Sequence, residues 1–119
     1  TIINPCLVSD ELNSLISMAE QSGREYYERW EFLNSYSGCM LGNPALSVLA
    51  DAYVKGIRTY DVEKAYQYAV NTSRHFGNDS LGYIPEPLSI STTLEYAYTD
   101  WCVSQMAQAM GKGEDARLF

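Results

Sequence analysis

Apolar residues recur along this chain at the 3.6-residue spacing of α-helices, and Gly, Pro, Asn and Asp separate the helical stretches. The pattern predicts a first helix that begins at a Ser9 or Asp10 cap and runs to about Ser22, with Gly23 placed to end it. Its apolar stripe consists of Leu12, Leu15, Ile16 and Ala19. This helix is therefore predicted to have one core side and one water side.

The pair Asn43-Pro44 predicts the start of a second helix, because Asn suits the N-cap and Pro suits the first helical position. The helix should run from Ala45 to about Lys55. Apolar residues cover nearly its whole circumference, which predicts burial on most sides. Asp51 is the exception, and we expect it to be paired or hydrogen-bonded and to tie helices together.

A third helix is predicted from Val62 to about Phe76, with Asp61 as its cap and Gly77 behind it. Its apolar residues form a single stripe, while the remaining positions are mostly charged or polar. The stripe consists of Ala65, Tyr66, Ala69 and Val70. This helix is predicted to be amphipathic and to face solvent on its outer side.

The sequence Thr92-x-x-Glu95 matches a capping box, and it predicts a fourth helix from Thr93 to about Met110. Apolar residues again cover most of the circumference, so this helix is also predicted to be buried on most sides. A fifth helix is predicted to begin at Glu114.

Exposed and buried helices thus alternate, and one step between buried helices takes about 48 residues, from position 43 to position 91. That step is longer than the periods of tetratricopeptide repeats, about 34 residues, and of HEAT repeats, about 40–47. It favours an all-α fold of antiparallel helix hairpins that form part of an (α/α)6 toroid. Residues 1–119 supply about two and a half hairpins. The chain is therefore predicted to be a single, incomplete segment of a larger domain.

Composition and charge narrow the possible functions. Hydrophobic residues make up 46% of the chain, which is typical of a globular protein, and the net charge is −7. An acidic chain argues against nucleic-acid binding, which normally needs a basic face. No apolar run reaches the length of about 18 residues that a membrane-spanning helix requires. Because the first residue is Thr1 and no signal peptide is visible, we expect the natural N-terminus to be missing.

Histidine and cysteine are too sparse for the usual nucleophilic and zinc sites. His75 is the single histidine, and the three cysteines form no C-x-x-C pair. We interpret His75 as a residue that stabilises the C-terminal turn of the third helix. Cys102 lies in an apolar helical pattern and is interpreted as a small core residue.

Carboxylates are the remaining candidates for acid and base chemistry, because glycosidases place two of them on either side of the scissile bond. The candidates are Glu31, Asp51, Glu95 and Asp100. Glu95 is accounted for by the capping box, and Asp100 by a partly solvated helix position. None of the four forms a specific catalytic signature.

The segment 24–42 is unusually aromatic for a loop, and loops of this length are often functional. It contains Tyr26, Tyr27, Trp30, Phe32 and Tyr36. One interpretation is a sugar-binding surface in which Trp30, flanked by Arg29 and Glu31, stacks on the C–H face of a pyranose. The other is a loop that its aromatic side chains anchor to the helices.

Three ordered blocks cover most of the chain. They are 38–57 (GCMLGNPALSVLADAYVKGI), 60–66 (YDVEKAY), and 81–85 (LGYIP) followed by 91–102 (STTLEYAYTDWC). Together they resemble glycoside hydrolase family 92. Where that family usually has Leu-Pro shortly before a tryptophan, this chain has Tyr27-Glu28.

The resemblance implies an (α/α)6-toroid catalytic domain packed on a β-sandwich domain. It implies a calcium-dependent, inverting exo-α-mannosidase, found mostly in bacteria and located in the periplasm or outside the cell. The implied substrate is a mannose-containing N-glycan, attacked at α-1,2-type linkages. The family's general acid, general base and calcium ligands are implied to lie outside this segment. We therefore expect no catalytic residue and no bound metal within residues 1–119.

Pocket-lining residues are the part of the family's site that this segment can supply. The resemblance carries over to Trp30, Met40, Gly42 and Asn43, and we add Glu31 and Glu95 as further candidates. Two alternatives remain at this point. One is a helical-repeat interaction module without catalysis, and the other is a toroid glycosidase of a different specificity.

Overall fold

The computed structural model describes residues 3–33, 35–77 and 81–119, which are mostly helical. The helices are α1 (Pro5–Gln21), α2 (Pro44–Val54), α3 (Val62–Phe76), α4 (Ile90–Ala109) and α5 (Asp115–Leu118). A short antiparallel ribbon joins β1 (Glu31–Phe32) to β2 (Ser35–Tyr36), with Glu31 opposite Tyr36. The all-α class is confirmed, although the ribbon within the loop was not predicted.

Helix α1 begins four residues earlier than the predicted cap. The Asn4 carboxamide accepts a hydrogen bond from the Leu7 N–H at 3.3 Å, and Pro5 occupies the first helical position. Ser9 is instead buried inside the helix, where its hydroxyl bonds to the hydroxyl of Thr59. The prediction was wrong because it overlooked the pair Asn4-Pro5. The same kind of pair, Asn43-Pro44, correctly placed the start of α2.

Helix α4 also begins earlier than predicted. Ser89 is the N-cap residue, and its hydroxyl donates to the Ile84 carbonyl at 2.5 Å instead of capping the helix. Thr92 lies inside the first turn, so the predicted capping box with Glu95 is wrong. The preceding loop folds back onto this turn, because Thr93 Oγ1 accepts the Ile84 N–H at 3.1 Å. Glu95 therefore has no capping role.

The N-cap residue of α3 and the incorrectly predicted cap of α4 lead to a stability prediction. Asp61→Ala should lower the free energy of unfolding by about 1 kcal/mol, because the Asp61 carboxylate accepts the Lys64 N–H at 3.1 Å at the start of α3. Thr92→Ala should change it by less than about 0.5 kcal/mol, since Thr92 caps nothing. Urea unfolding of the two variants measures the difference. If Thr92→Ala lowers the free energy of unfolding more than Asp61→Ala does, the capping box of Thr92 and Glu95 was predicted correctly after all.

The core lies around α3, which packs against α1, α2 and α4. This helix buries a wider face than its apolar stripe predicted, because Tyr68, Thr72 and Ser73 are buried as well. The largest fully buried side chains of the chain are Leu12, Leu46, Leu49, Met106, Val103, Asn43, Thr72 and Ser73. Cys102 is buried among them, which confirms its interpretation as a core residue.

Helices α2 and α4 are covered on one side only, so the prediction that both are buried on most sides is wrong within this chain. Val48 on α2 is 41% exposed and Trp101 on α4 is 54% exposed. Asp51 is also exposed, and it pairs with Lys55 at 2.6 Å one turn further along the same helix. These apolar faces are exposed because no described element packs against them.

Candidate active-site segment

The aromatic loop between α1 and α2 is anchored to α3 by two adjacent tyrosines. Tyr27 is buried, its N–H donates to Thr72 Oγ1 at 2.8 Å, and its hydroxyl donates to the Ala65 carbonyl at 3.2 Å. Burial raises the pKa of Tyr27 well above its usual range. Tyr26 stacks on His75 with ring centroids 4.2 Å apart. The anchored-loop interpretation is therefore correct for both tyrosines.

A column of aromatic rings continues this anchor to α4. Tyr36 from β2 stacks on Phe76 at 6.4 Å, and Phe76 stacks on Tyr96 at 6.3 Å with nearly parallel planes. Aromatic pairs of this kind contribute about 0.5–1.5 kcal/mol each beyond the area they bury. The ribbon is thus held against the end of α3 and the second turn of α4.

Arg29, which precedes the ribbon, hydrogen-bonds both to Gly38, which follows the ribbon, and to Tyr96 of α4. Its guanidinium donates to the Tyr96 hydroxyl at 3.2 Å and to the Gly38 carbonyl at 3.1 Å. The hydrogen bond to Tyr96 is the main cause that raises the pKa of Arg29. The same guanidinium lies over the Tyr36 ring at 6.0 Å. Arg29 therefore fixes the loop that carries Trp30 relative to α4.

Trp30 has an unusual backbone and a fixed side chain. Its φ of 54° lies in the left-handed region, which non-glycine residues rarely adopt and which often marks functional sites. Its indole N–H donates to the Leu41 carbonyl at 2.9 Å, so the ring is held against the turn that leads into α2. Glu31 follows in β1, and its side chain lies outside the described part of the structure.

The turn before α2 meets Glu95 of α4. Gly42 has a φ of 79°, and a Cβ built on it would lie 3.1 Å from Oε2 of Glu95. Met40, two residues earlier, has an exposed side chain. Asn43 is 1% exposed, and neither atom of its amide has a hydrogen-bond partner within the described residues. Gly42, Asn43 and Glu95 thus come together, and the indole of Trp30 reaches the same turn through Leu41.

Glu28 was noted in the sequence only as part of the pair Tyr27-Glu28 that departs from the family pattern, and not as a buried or functional residue. Its carboxylate is buried, one oxygen pairs with Arg24, and Oε2 has no hydrogen-bond partner among the residues that the structure describes. A charged residue in an aperiodic loop carries no burial signal, so sequence reasoning could not find it. Asp100 accepts a hydrogen bond from buried Ser73, in agreement with a partly solvated helix position.

Among the described residues, no three His, Cys, Asp or Glu side chains are grouped so as to hold a metal ion. Burial raises the pKa of the Cys102 thiol, in keeping with a core side chain rather than a thiolate ligand. None of the described helices combines the length and apolar character needed to cross a bilayer.

Comparison with known proteins identifies the family. The model of the glycosyl hydrolase family 92 catalytic domain matches residues 1–119. The chain belongs to glycosyl hydrolase family 92. A family 92 α-mannosidase from Bacteroides thetaiotaomicron is 32% identical, with a TM-score of 0.87 over 98% of this chain. The same enzyme in complex with mannoimidazole also gives a TM-score of 0.87.

Two further relatives agree with this assignment. An inverting family 92 mannosidase from Bacteroides thetaiotaomicron is 33% identical over 89% of this chain, with a TM-score of 0.76. An uncharacterized secreted glycosidase from Arthroderma benhamiae is 33% identical over 60% of this chain. The helix hairpins therefore belong to an (α/α)6 toroid, as predicted, and an interaction module without catalysis is not favoured.

The chain is much shorter than these relatives. It spans 16–17% of the length of the solved family 92 structures and 12% of the length of the curated glycosidase. The described residues therefore correspond to a minor part of a family 92 enzyme.

Proposed function

We propose that residues 1–119 are a segment, of about two and a half helix hairpins, of the catalytic domain of an inverting exo-α-mannosidase. The observation that carries this proposal is the superposition of 98% of the chain on an α-mannosidase at 32% identity. The mannoimidazole complex of that relative supports a mannose-containing glycan as the substrate. N-glycans with α-1,2-linked mannose are the proposed physiological substrates.

The proposed role of the segment is to form part of the rim of the substrate pocket. Trp30 offers an aromatic face to the C–H side of a sugar ring, and its orientation is fixed by the bond to Leu41. Glu95 is exposed and is not used for capping, so its carboxylate is free to accept hydrogen bonds from sugar hydroxyls. Met40, which is exposed, extends this surface along the loop, and Glu31 stays a candidate on the grounds of the sequence alone.

Gly42 and Asn43 have a supporting role in this proposal. Gly42 allows the turn to approach Glu95 closely, because any side chain there would meet the carboxylate. Asn43 is the N-cap residue of α2 and is almost fully buried, so its place in the turn follows from its position before Pro44 and not from a hydrogen bond of its amide. The general acid and the general base of the inverting reaction would come from other parts of the polypeptide.

Calcium, a β-sandwich domain and an export route complete the proposal. The described residues do not supply a set of calcium ligands, so the metal would be held elsewhere in the longer polypeptide. The remainder of the catalytic domain and a β-sandwich domain would be the partners of this segment. The secreted glycosidase among the relatives supports a periplasmic or extracellular location.

An activity assay of the full-length gene product tests this function. We expect hydrolysis of an aryl α-mannoside and of an α-1,2-linked mannobioside, with loss of activity in EDTA and recovery on addition of calcium. Proton NMR of the first product should show β-mannose, because the reaction inverts the anomeric centre. An aryl α-glucoside and an aryl β-mannoside serve as controls. Absence of activity on every α-mannoside linkage would sink the proposal.

A further inference from the structure

Three contacts form a closed ring at the proposed pocket rim. The ring passes through three pairs of residues that are adjacent in sequence: Arg29 and Trp30, Leu41 and Gly42, and Glu95 and Tyr96. In the first contact, the Trp30 indole N–H donates to the Leu41 carbonyl. In the second, Gly42 closely approaches the carboxylate of Glu95. The third contact closes the ring, because the Arg29 guanidinium donates to the Tyr96 hydroxyl at 3.2 Å.

The contact between Arg29 and Tyr96 differs from the other two. Each of the others includes a residue that is proposed to touch the sugar, namely Trp30 or Glu95. Arg29 immediately precedes Trp30, and Tyr96 immediately follows Glu95. Tyr96 itself is buried, with 6% of its surface exposed. The hydrogen bond between Arg29 and Tyr96 therefore connects the two sides of the rim from behind the sugar-facing surface.

Both partners of this hydrogen bond are held in place by further contacts. The guanidinium also donates to the Gly38 carbonyl at 3.1 Å. A Cβ built on Gly38 would lie 3.0 Å from Nη2 of Arg29, so the guanidinium fills the space beside this glycine. The Tyr96 ring stacks on Phe76 with ring centroids 6.3 Å apart and an interplanar angle of 9°. The bond thus joins two side chains whose positions are already fixed.

Arg29 and Trp30 keep this arrangement at a cost in stability. The Nε atom of Arg29 is buried without a hydrogen-bond partner among the described residues, which is unfavourable for a donor. The next residue, Trp30, has a φ of 54° in the left-handed region. Unfavourable backbone and hydrogen-bond arrangements persist where the surrounding contacts enforce them, and they cluster at functional sites. Two consecutive residues of this kind indicate a position that is held for function.

We propose that Arg29 and Tyr96 are positioning residues, whose hydrogen bond sets the separation of Trp30 and Glu95 and thereby the affinity of the rim for a mannose unit. The inference rests on the proposed function, because it concerns binding of that sugar. Neither positioning residue touches the sugar. Since the general acid and general base would come from other parts of the polypeptide, loss of this bond weakens binding and not the chemical step. It should therefore raise KM and leave kcat nearly unchanged.

Tyr96→Phe in the full-length gene product is the sharpest test. This change removes one hydroxyl group and keeps the ring that stacks on Phe76. We expect the KM for an aryl α-mannoside to rise about 10-fold, with kcat changed by less than about twofold. The inhibition constant of mannoimidazole should rise by a similar factor. Arg29→Met should have at least the same effect, and the double variant should be no worse than Arg29→Met alone, because both substitutions remove the same bond.

Two matched controls remove similar contacts outside the ring. Tyr66→Phe deletes a hydroxyl that donates to Asp115 at 2.8 Å. Arg58→Met removes a guanidinium that lies over the Tyr53 ring at 3.3 Å, beyond the C-terminal end of α2. Both controls should lower the Tm and leave KM unchanged. The positioning role is contradicted if the KM of an active enzyme survives Tyr96→Phe, or if the controls raise it equally.

Amide hydrogen exchange of the full-length product tests the same bond without activity. The Ser37 N–H donates to the Trp30 carbonyl at 3.1 Å, and the Gly38 N–H donates to the Arg29 carbonyl at 3.0 Å. Tyr96→Phe should speed exchange at Ser37 and Gly38, whereas Tyr66→Phe should not. Unchanged exchange at both amides would overturn the inference even in an inactive protein. A wild-type protein that hydrolyses no α-mannoside would instead contradict the proposed function.

Discussion

Replacing Leu12 with alanine is expected to lower the free energy of unfolding by about 2–5 kcal/mol. Leu12 is 0% exposed and lies in the core cluster between α1 and α3. The substitution removes buried methyl and methylene groups and leaves a cavity, because close-packed neighbours relax only in part. Urea unfolding followed by circular dichroism measures the loss.

Leu7→Ala is the matched control, because Leu7 lies in the same helix and is 49% exposed. We expect a loss of less than half that of Leu12→Ala, since about half of the Leu7 side chain already contacts solvent. The same pair can be compared as Tm values in the full-length gene product. Equal losses at the two positions would contradict the described core.

Replacing Gly42 with alanine is expected to lower the kcat/KM of the proposed full-length mannosidase on an aryl α-mannoside by on the order of 100-fold. Two effects combine at this position. A non-glycine residue at a φ of 79° costs about 1–2 kcal/mol. The new Cβ would also lie 3.1 Å from Oε2 of Glu95, so that the turn or the carboxylate must move. Displacements of about 1 Å near a reacting substrate can produce losses of this size.

Gly56→Ala separates the two effects. Gly56 follows α2 with a φ of 89°, and a Cβ there would meet no atom within 4 Å. It should show the backbone cost as a lower Tm, with kcat/KM changed by less than about threefold, because only a small shift in folding stability is involved. If both variants lose activity equally, the contact between Gly42 and Glu95 has no role in the pocket.

Local sequence motifs predicted one part of the candidate site correctly and another part incorrectly. The turn 40–43 and the start of α2 were predictable, because Asn-Pro is a strong local signal for a helix start. The same kind of reasoning failed at Glu95, where Thr92-x-x-Glu95 imitates a capping box inside a helix that begins at Ile90. A short motif shows only that two residues could cap a helix. The start of α4 depends on how the preceding loop packs on its first turn.

The aromatic loop illustrates the opposite case. Its length and composition indicated that it matters, but left open whether the rings bind sugar or anchor the loop. The structure assigns the anchoring to Tyr26, Tyr27 and Tyr36, and leaves Trp30 held against the turn before α2. The three tyrosine contacts join residues about 40–50 positions apart, and no periodicity within the loop encodes them.

The number and order of the helices, the all-α class and the family followed from the sequence, because helix periodicity and ordered motif blocks are local properties of the chain, although the starts of α1 and α4 did not follow from it. Three features required the tertiary structure: which faces of α2 and α4 are covered, that Arg29 joins the loop to Tyr96, and that Glu28 is buried with one oxygen that has no partner among the described residues. Burial and hydrogen-bond partnership depend on which distant segments pack together. The residue type shows that an apolar face or a buried carboxylate requires a partner, but it does not show which segment of the chain provides that partner.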